Sequence, residues 1–345
     1  MHFASDNTSG VHPKIMEALV RANDGYAPAY AADRWSAELT ERLRDLFQAP
    51  DALVWPMASG TGTNAALLGA MTPPWGTVYC HETAHIERDE RNSVPFFSGG
   101  ARLRPLPGRA SRLDPERLRT EIAADRARDD IHASPPAAVS LTNLTEFGEL
   151  YRPAEIAALA DASGLPLHLD GARFANAIAA SGASPWEMTR ELSALSLGAT
   201  KTGAMAAEAA VLFDPAPGEA FESQRMRSGH NLSKARYVSA QLLAWLEDDL
   251  WLELATQANA MGARLAQGLT EIGATLSHEA AGNLVFARLP RSLHLTAKAR
   301  GAVYHLWGAG DLHTGDPTEP LLARFVASWS TTEADVDALL AAFSD

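Results

Sequence analysis

The stretch "LPLHLDGARFANA", Leu165 to Ala177, alternates Leu165, Leu167 and Leu169 in the manner of a half-buried strand, then runs directly into Asp170, two small residues and Arg173. An acid before Gly-Ala is ordinarily a helix cap. The same acid at the tip of an apolar strand is also well placed to face a ligand, and the neighbouring segments decide between the two readings.

Working outward, strand-like and helix-like segments alternate. "DALVW" leads into "SGTGTNAALLGAM", "GTVYC" into "HETAHIERDE", and "AAVSLTNL" into "PAEIAALADASG", with Gly164 as a helix C-cap; "LSALSLGAT" and "EAAVLF" read as two more strands. Before them, "HPKIMEALVRA" and "WSAELTERLRDLF" carry apolar residues at helical spacing. This order predicts an α/β fold with a mostly parallel, doubly wound sheet whose functional groups gather at the C-terminal ends of the strands, where Asp170 sits. Phe221 to Gly273 reads as long and helical, and the remainder as a smaller α+β domain whose last helix is opened by a capping box, Ser330-x-x-Glu333. The expected division is a large domain with an N-terminal arm over 1–245 and a small C-terminal domain over 246–345.

Of the 345 residues, 46% are hydrophobic and 21% charged, enough for a large core. A net charge of -13 without a basic cluster argues against nucleic acid and anionic membrane surfaces as partners. Cys80 is the only cysteine, the first ten residues lack the layout of a signal peptide, and no apolar run reaches a membrane span; the expectation is a cytoplasmic protein.

Three motifs compete. "HETAH", His81 to His85, satisfies the H-E-x-x-H zinc pattern, but it directly follows a strand, and no third ligand follows at the usual spacing, so no metal is expected. "GTGTNA", Gly60 to Ala65, fits a dinucleotide fingerprint, yet the safer inference is a phosphate site at a helix N-terminus supplied with Ser59, Thr61 and Thr63 hydroxyls. "LSLGATKTGA" brings Lys201 off the end of another apolar strand. A phosphate cradle, an acid at one strand tip and a lysine at another are together what pyridoxal phosphate needs: an anchor, a partner for the pyridine nitrogen and an amine for a Schiff base.

The blocks "FASDNTSG", "SGTGTN", "HETAH", "DIH", "RPAEIAALA", "HLDGARFANA", "LGATKTGA" and "ARFVASWST" resemble, in this order, the low-specificity L-threonine aldolases, most closely the bacterial branch that includes phenylserine aldolases. The resemblance runs from Phe3 to the final helix. It implies a fold-type I pyridoxal-phosphate enzyme that cleaves L-β-hydroxy-α-amino acids into glycine and an aldehyde. It also implies a homodimer or homotetramer with active sites at subunit interfaces. β-Elimination or racemisation on the same scaffold is the alternative.

Residue by residue, the resemblance implies that Lys201 bonds the cofactor, Asp170 pairs with the pyridine nitrogen, Arg173 faces the phenolic oxygen, and Ser59, Gly60 and Thr61 hold the phosphate. It gives His85 the role of stacking on the ring, places His132 near the substrate hydroxyl, and makes either histidine the expected base. Ser5 and Arg324 match residues that bind the substrate carboxylate, and Arg227 or Lys234 is expected to reach the phosphate of a neighbouring subunit. The chain departs from the family pattern at Tyr30-Ala31-Ala32-Asp33, at Ala199-Thr200-Lys201-Thr202-Gly203 and over Arg91 to Phe97.

Overall fold

A computed structural model describes residues 1–128, 130–308 and 310–344. Its larger sheet has seven strands: β1 (Leu53–Met57), β2 (Thr77–His81), β3 (Arg102–Leu106), β4 (Pro136–Thr142), β5 (Leu167–Gly171), β6 (Ala194–Gly198) and β7 (Glu208–Leu212), in the order β1-β7-β6-β5-β4-β2-β3. β3, β2, β4, β5 and β6 run parallel, and only β7 runs antiparallel to both of its neighbours. The C-terminal tips of the parallel strands and the first residue of β7 therefore meet along one edge. In register there, Thr142 lies beside Asp170, Asp170 beside Ser196, and Gly198 beside Glu208.

β5 is buried on both faces rather than half-buried, because helices cover both sides of the sheet. Its polar member His168, with no exposed surface, is satisfied by Ser140 of β4 at Nδ1 and Ser196 of β6 at Nε2, each 3.0 Å away. Burial lowers this imidazole to about 4, so it sits neutral in the sheet. Leu165 lies outside the strand. At Gly171 a Cβ would stand 2.7 Å from Ser196 O, so the backbone of β6 is what demands glycine.

Among the elements that escaped the sequence reading are one strand and one helix. β3 is a partly exposed edge strand carrying Arg102, Arg104 and Pro105, and an edge strand of that composition has no apolar alternation to detect. The helix Pro115–Ala127 buries only Leu118 and Ile122, too few for a clear stripe.

The second sheet, β8 (Thr275–Leu276), β9 (Leu284–Pro290), β10 (His305–Leu306) and β11 (Pro320–Val326), is antiparallel in the order β10-β11-β9-β8. The helix Leu250–Glu271 serves both cores. Its first turns pack Trp251 and Leu254 into the main core with Trp245, while Met261, Leu265 and Leu269 join Val285, Phe325 and Phe343 in the second. The last helix, Glu333–Ala342, is opened by Thr332 and Asp335, not by Ser330 and Glu333. Ser330 is instead drawn into hydroxyl contact with Ser328. No described helix is long and apolar enough to cross a membrane.

The N-terminal arm is stitched to the second sheet. Phe3 is fully buried in its core, its N–H donates to Val303 O, and its carbonyl accepts from Val326 N. That anchor delivers the polar residues that follow it to the edge of the large sheet.

Candidate active site

One cavity of about 300 Å³ opens at the C-terminal edge of the large sheet, within the range of small-molecule sites, and is lined by Ser59, Gly60, Thr61, His85, Asp170, Arg173 and Lys201, among others. Ser59, Gly60 and Thr61 are brought by the turn after β1: Ser59 caps the helix Gly60–Met71, its Oγ accepting from Gly62 N at 3.2 Å, so the helix presents its free N–H groups to the cavity. Gly60 has nothing within 4 Å of a notional Cβ, leaving its backbone open to an anion.

Asp170 stands at the tip of β5, nearly buried, with Oδ1 accepting from Ala172 N at 3.0 Å and Oδ2 accepting from Asn64 Nδ2 at 2.9 Å. Oδ1 thus closes a local turn, while the helix that follows, Phe174–Ser181, has Arg173 as its N-cap without a side-chain bond. Lys201 lies in the short turn Thr200–Thr202 after β6 and makes no ion pair among the described residues. Trp245 Nε1 donates to Thr202 O at 3.1 Å and fixes that turn against the core.

Asp6, which sequence reading passed over, holds Arg173. Arg173 Nε and Nη2 donate to its two carboxylate oxygens at 2.7 and 3.0 Å, and Asn283 Nδ2 adds a bond of 3.1 Å to Oδ2. The side chains are 8% and 1% exposed, so this is a buried pair, and Arg173 Nη1 remains the donor not engaged by Asp6. Burial opposes ionisation of Asp6, but the charges of Arg173 and Lys201 and the hydrogen bonds outweigh it and hold the carboxyl below its ordinary value of 3.8. Asp6→Asn is expected to cost about 3 to 5 kcal/mol by leaving a buried guanidinium uncompensated, checked by denaturant unfolding. Because the native carboxyl is the stronger acid, its contribution is present above about pH 4 and is lost as pH falls through the depressed native value. The acid-induced fall in stability should accordingly be shallower in Asp6→Asn.

A second network was also missed. His85 Nδ1 lies 2.8 Å from Glu90 Oε1, and Asn64 Nδ2 donates to that same oxygen at 3.0 Å as well as to Asp170. Glu90, through this hydrogen bond, raises His85 above the ordinary histidine value against the opposing effect of burial. The H-E-x-x-H geometry does not form, because the first histidine ends a strand. His81 is bound to Thr83 Oγ1 at Nδ1 and Gly108 O at Nε2, while His85 turns into the cavity.

Two more acids line the cavity unannounced, Glu146 and Glu208. Glu208 opens β7; burial pushes it up to about 7, with Thr200 Oγ1 donating to Oε1 at 2.6 Å. An acid heading the otherwise apolar "EAAVLF" was the available signal.

Ser5 and Arg324 come close through the arm. Arg324 of β11 donates from Nη2 to Ala4 O at 3.2 Å, its guanidinium carbon lies 5.1 Å from the centre of the Trp307 ring, and its buried Nε has no partner among the described residues. Ser5 Oγ accepts from Asn7 N at 3.1 Å, and neither Ser5 nor Arg324 is among the residues lining the cavity.

His132 lies away from the cavity of its own chain. It is exposed in the turn before β4, at the N-terminal end of a strand whose C-terminal end reaches the cavity, and the seven residues of β4 span roughly 20 Å. One chain does not bring it to the site. Arg227 and Lys234 are likewise exposed, Arg227 donating to Gln224 Oε1. The residue of that segment which meets the cradle in the same chain is His230, 3.2 Å from Ser59 Oγ, and so close to Gly62 that a Cβ there would overlap its ring at 2.0 Å.

The Beta-eliminating lyase family matches residues 2–291 of the chain. A low-specificity L-threonine aldolase of Pseudomonas sp. is 35% identical over 346 residues, covering 98% of this chain and 96% of that protein. The chain belongs to the threonine-aldolase branch of the β-eliminating lyase family. Among solved structures, a threonine aldolase of Leishmania major aligns over 99% of this chain and 98% of its own with a TM-score of 0.90 and 25% identity. A serine palmitoyltransferase of S. paucimobilis, solved with bound pyridoxal phosphate, aligns at a TM-score of 0.71 over 99% and 86% of the two chains; at 16% identity that likeness shows the fold alone. Family membership accounts for the convergence of Lys201, Asp170 and the helix N-terminus, which is the donor set that a pyridoxal phosphate group needs.

Proposed function

We propose that the chain is a pyridoxal-phosphate-dependent aldolase that cleaves L-threonine, L-allo-threonine or related L-β-hydroxy-α-amino acids such as phenylserine into glycine and an aldehyde. The observation that carries the reading is that Lys201, Asp170 and the N-terminus of Gly60–Met71 open on one cavity. The bound cofactor supplies an electron-withdrawing ring that stabilises the electron pair left at Cα. Lys201 bonds it, Ser59, Gly60 and Thr61 hold its phosphate, Asp170 faces its ring nitrogen, Arg173 donates from Nη1 to its phenolic edge, and His85 packs on its face. Ser5 and Arg324 grip the substrate carboxylate and so set the angle of the Cα–Cβ bond, choosing which bond breaks. The relatives' low specificity, as their names describe it, fits a site that fixes the amino-acid end and leaves the β-substituent loosely held. We also propose an assembly of two or four copies, in which exposed Arg227 or Lys234 reaches the phosphate of a neighbour.

Incubation with L-threonine and L-phenylserine should yield glycine with acetaldehyde or benzaldehyde. Ammonia with a keto acid would overturn the aldolase reading in favour of β-elimination.

A further inference from the structure

The turn after β4 presents an acid that no role above uses. Glu146 lines the main cavity together with His85, Asp170, Arg173 and Lys201, and also lines the small recess behind it formed by His81, Ser111, Leu141 and Tyr151. Among the described residues it makes no hydrogen bond or ion pair, whereas Asp6, Asp170, Glu90 and Glu208 each have partners.

Its position is held from both sides. Gly148 N donates to Thr145 O at 2.8 Å to close the turn, and Thr145 Oγ1 donates to Ala110 O at 3.2 Å. Phe147, the next residue, is stacked on Phe286 with ring centres 4.8 Å apart. Asn143 binds Tyr151 through both its amide nitrogen and its oxygen. A carboxyl this well placed and left without a partner has a ligand proton as its natural complement.

We propose that Glu146 takes the β-hydroxyl proton in the aldol cleavage, a role resting on the function proposed above. The hydroxyl proton passes to a Glu146 carboxylate oxygen, and the O–H electron pair becomes the second bond of the aldehyde C=O. The Cα–Cβ bond breaks with its electrons staying at Cα, and Cα then takes up one proton to give glycine. His85 suits this task less, because Glu90 favours its protonated form. Burial pushes the Glu146 carboxyl above the usual carboxylate range. The charges facing it oppose one another: Lys201, Arg173 and His85 favour the anion and Asp170 disfavours it, with Arg324 also within its field.

The test uses the holoenzymes of wild type, Glu146→Gln, Glu146→Asp and His85→Asn, with L-phenylserine cleavage followed across pH. Exchange of the glycine α-proton in D2O, which needs no hydroxyl base, is followed by NMR. Expected for Glu146→Gln is a kcat lower by about 100-fold or more with KM little changed, loss of the acid limb of kcat/KM, and glycine exchange and cofactor absorbance near wild type. Glu146→Asp should recover part of the rate with its acid limb displaced, and carries the test by itself if the Gln variant does not fold. An unchanged kcat and acid limb, an acid limb that follows His85→Asn instead, or equal loss of exchange and cleavage overturns the proposal. Wild-type enzyme that exchanges glycine but releases no benzaldehyde overturns the aldolase reading itself, and this role with it.

Discussion

Lys201→Ala is expected to abolish aldol cleavage, with a loss of three or more orders of magnitude, and to remove the visible absorbance of covalently held cofactor while the chain still folds. The turn Thr200–Thr202 keeps its shape without the amine, because Trp245 holds Thr202 O and the carbonyl of Gly203 accepts from His12 N at 2.8 Å. Removing a half-buried ammonium that has no ion-pair partner among the described residues breaks no salt bridge: Asp6 keeps Arg173, Glu208 keeps Thr200, and Glu146, which loses a favourable charge, shifts further toward its neutral form. Activity and spectrum should therefore collapse without a matching fall in melting temperature. Turnover that survives, or a spectrum that persists on borohydride treatment, would sink the assignment.

Asp170→Asn should lose about two to three orders of magnitude in kcat and leave the fold and the cofactor in place. The variant asparagine can still accept from Ala172 N, so the local turn bond survives, and asparagine closes such turns as readily as aspartate. What changes is the other side, where a neutral amide replaces the anion proposed to face the pyridine nitrogen and presents an NH2 to the Asn64 Nδ2 donor. The protonated ring is then no longer favoured, and its capacity to hold electrons from the breaking bond falls. If Asp170 were merely a cap, Asn would be nearly silent in both stability and rate. Unfolding curves measured beside steady-state rates separate the two outcomes.

The main frame was legible in the sequence. Alternating apolar strands and amphipathic helices imply a doubly wound sheet, and the residue just past each apolar run falls at the sheet edge whichever strand neighbours which. Asp170, Lys201 and Ser59 to Thr61 were found because each interrupts a local pattern at such a point. The missed elements lack a pattern of that kind: β3 is an edge strand with arginines, and Pro115–Ala127 is a polar helix. The place of His132 was not legible for a related reason, since a motif three residues long carries no information about which end of the following strand it occupies.

The acids around the site were not legible. Asp6 finds Arg173 across 167 positions, Asn64 finds Asp170 across 106, and nothing within one element marks either partner. Glu90 and Glu146 look in sequence like any other surface carboxylates, and Glu208 is marked only by heading the apolar "EAAVLF". By itself the sequence determined the strand tips, the turn of Ser59 to Thr61 and the lysine, because periodicity and breaks in it are local properties of the chain. Tertiary structure alone decided which acids are paired, which is pushed toward its neutral form and which is left unpartnered at the cavity, because desolvation and ion pairing depend on neighbours brought together only by folding.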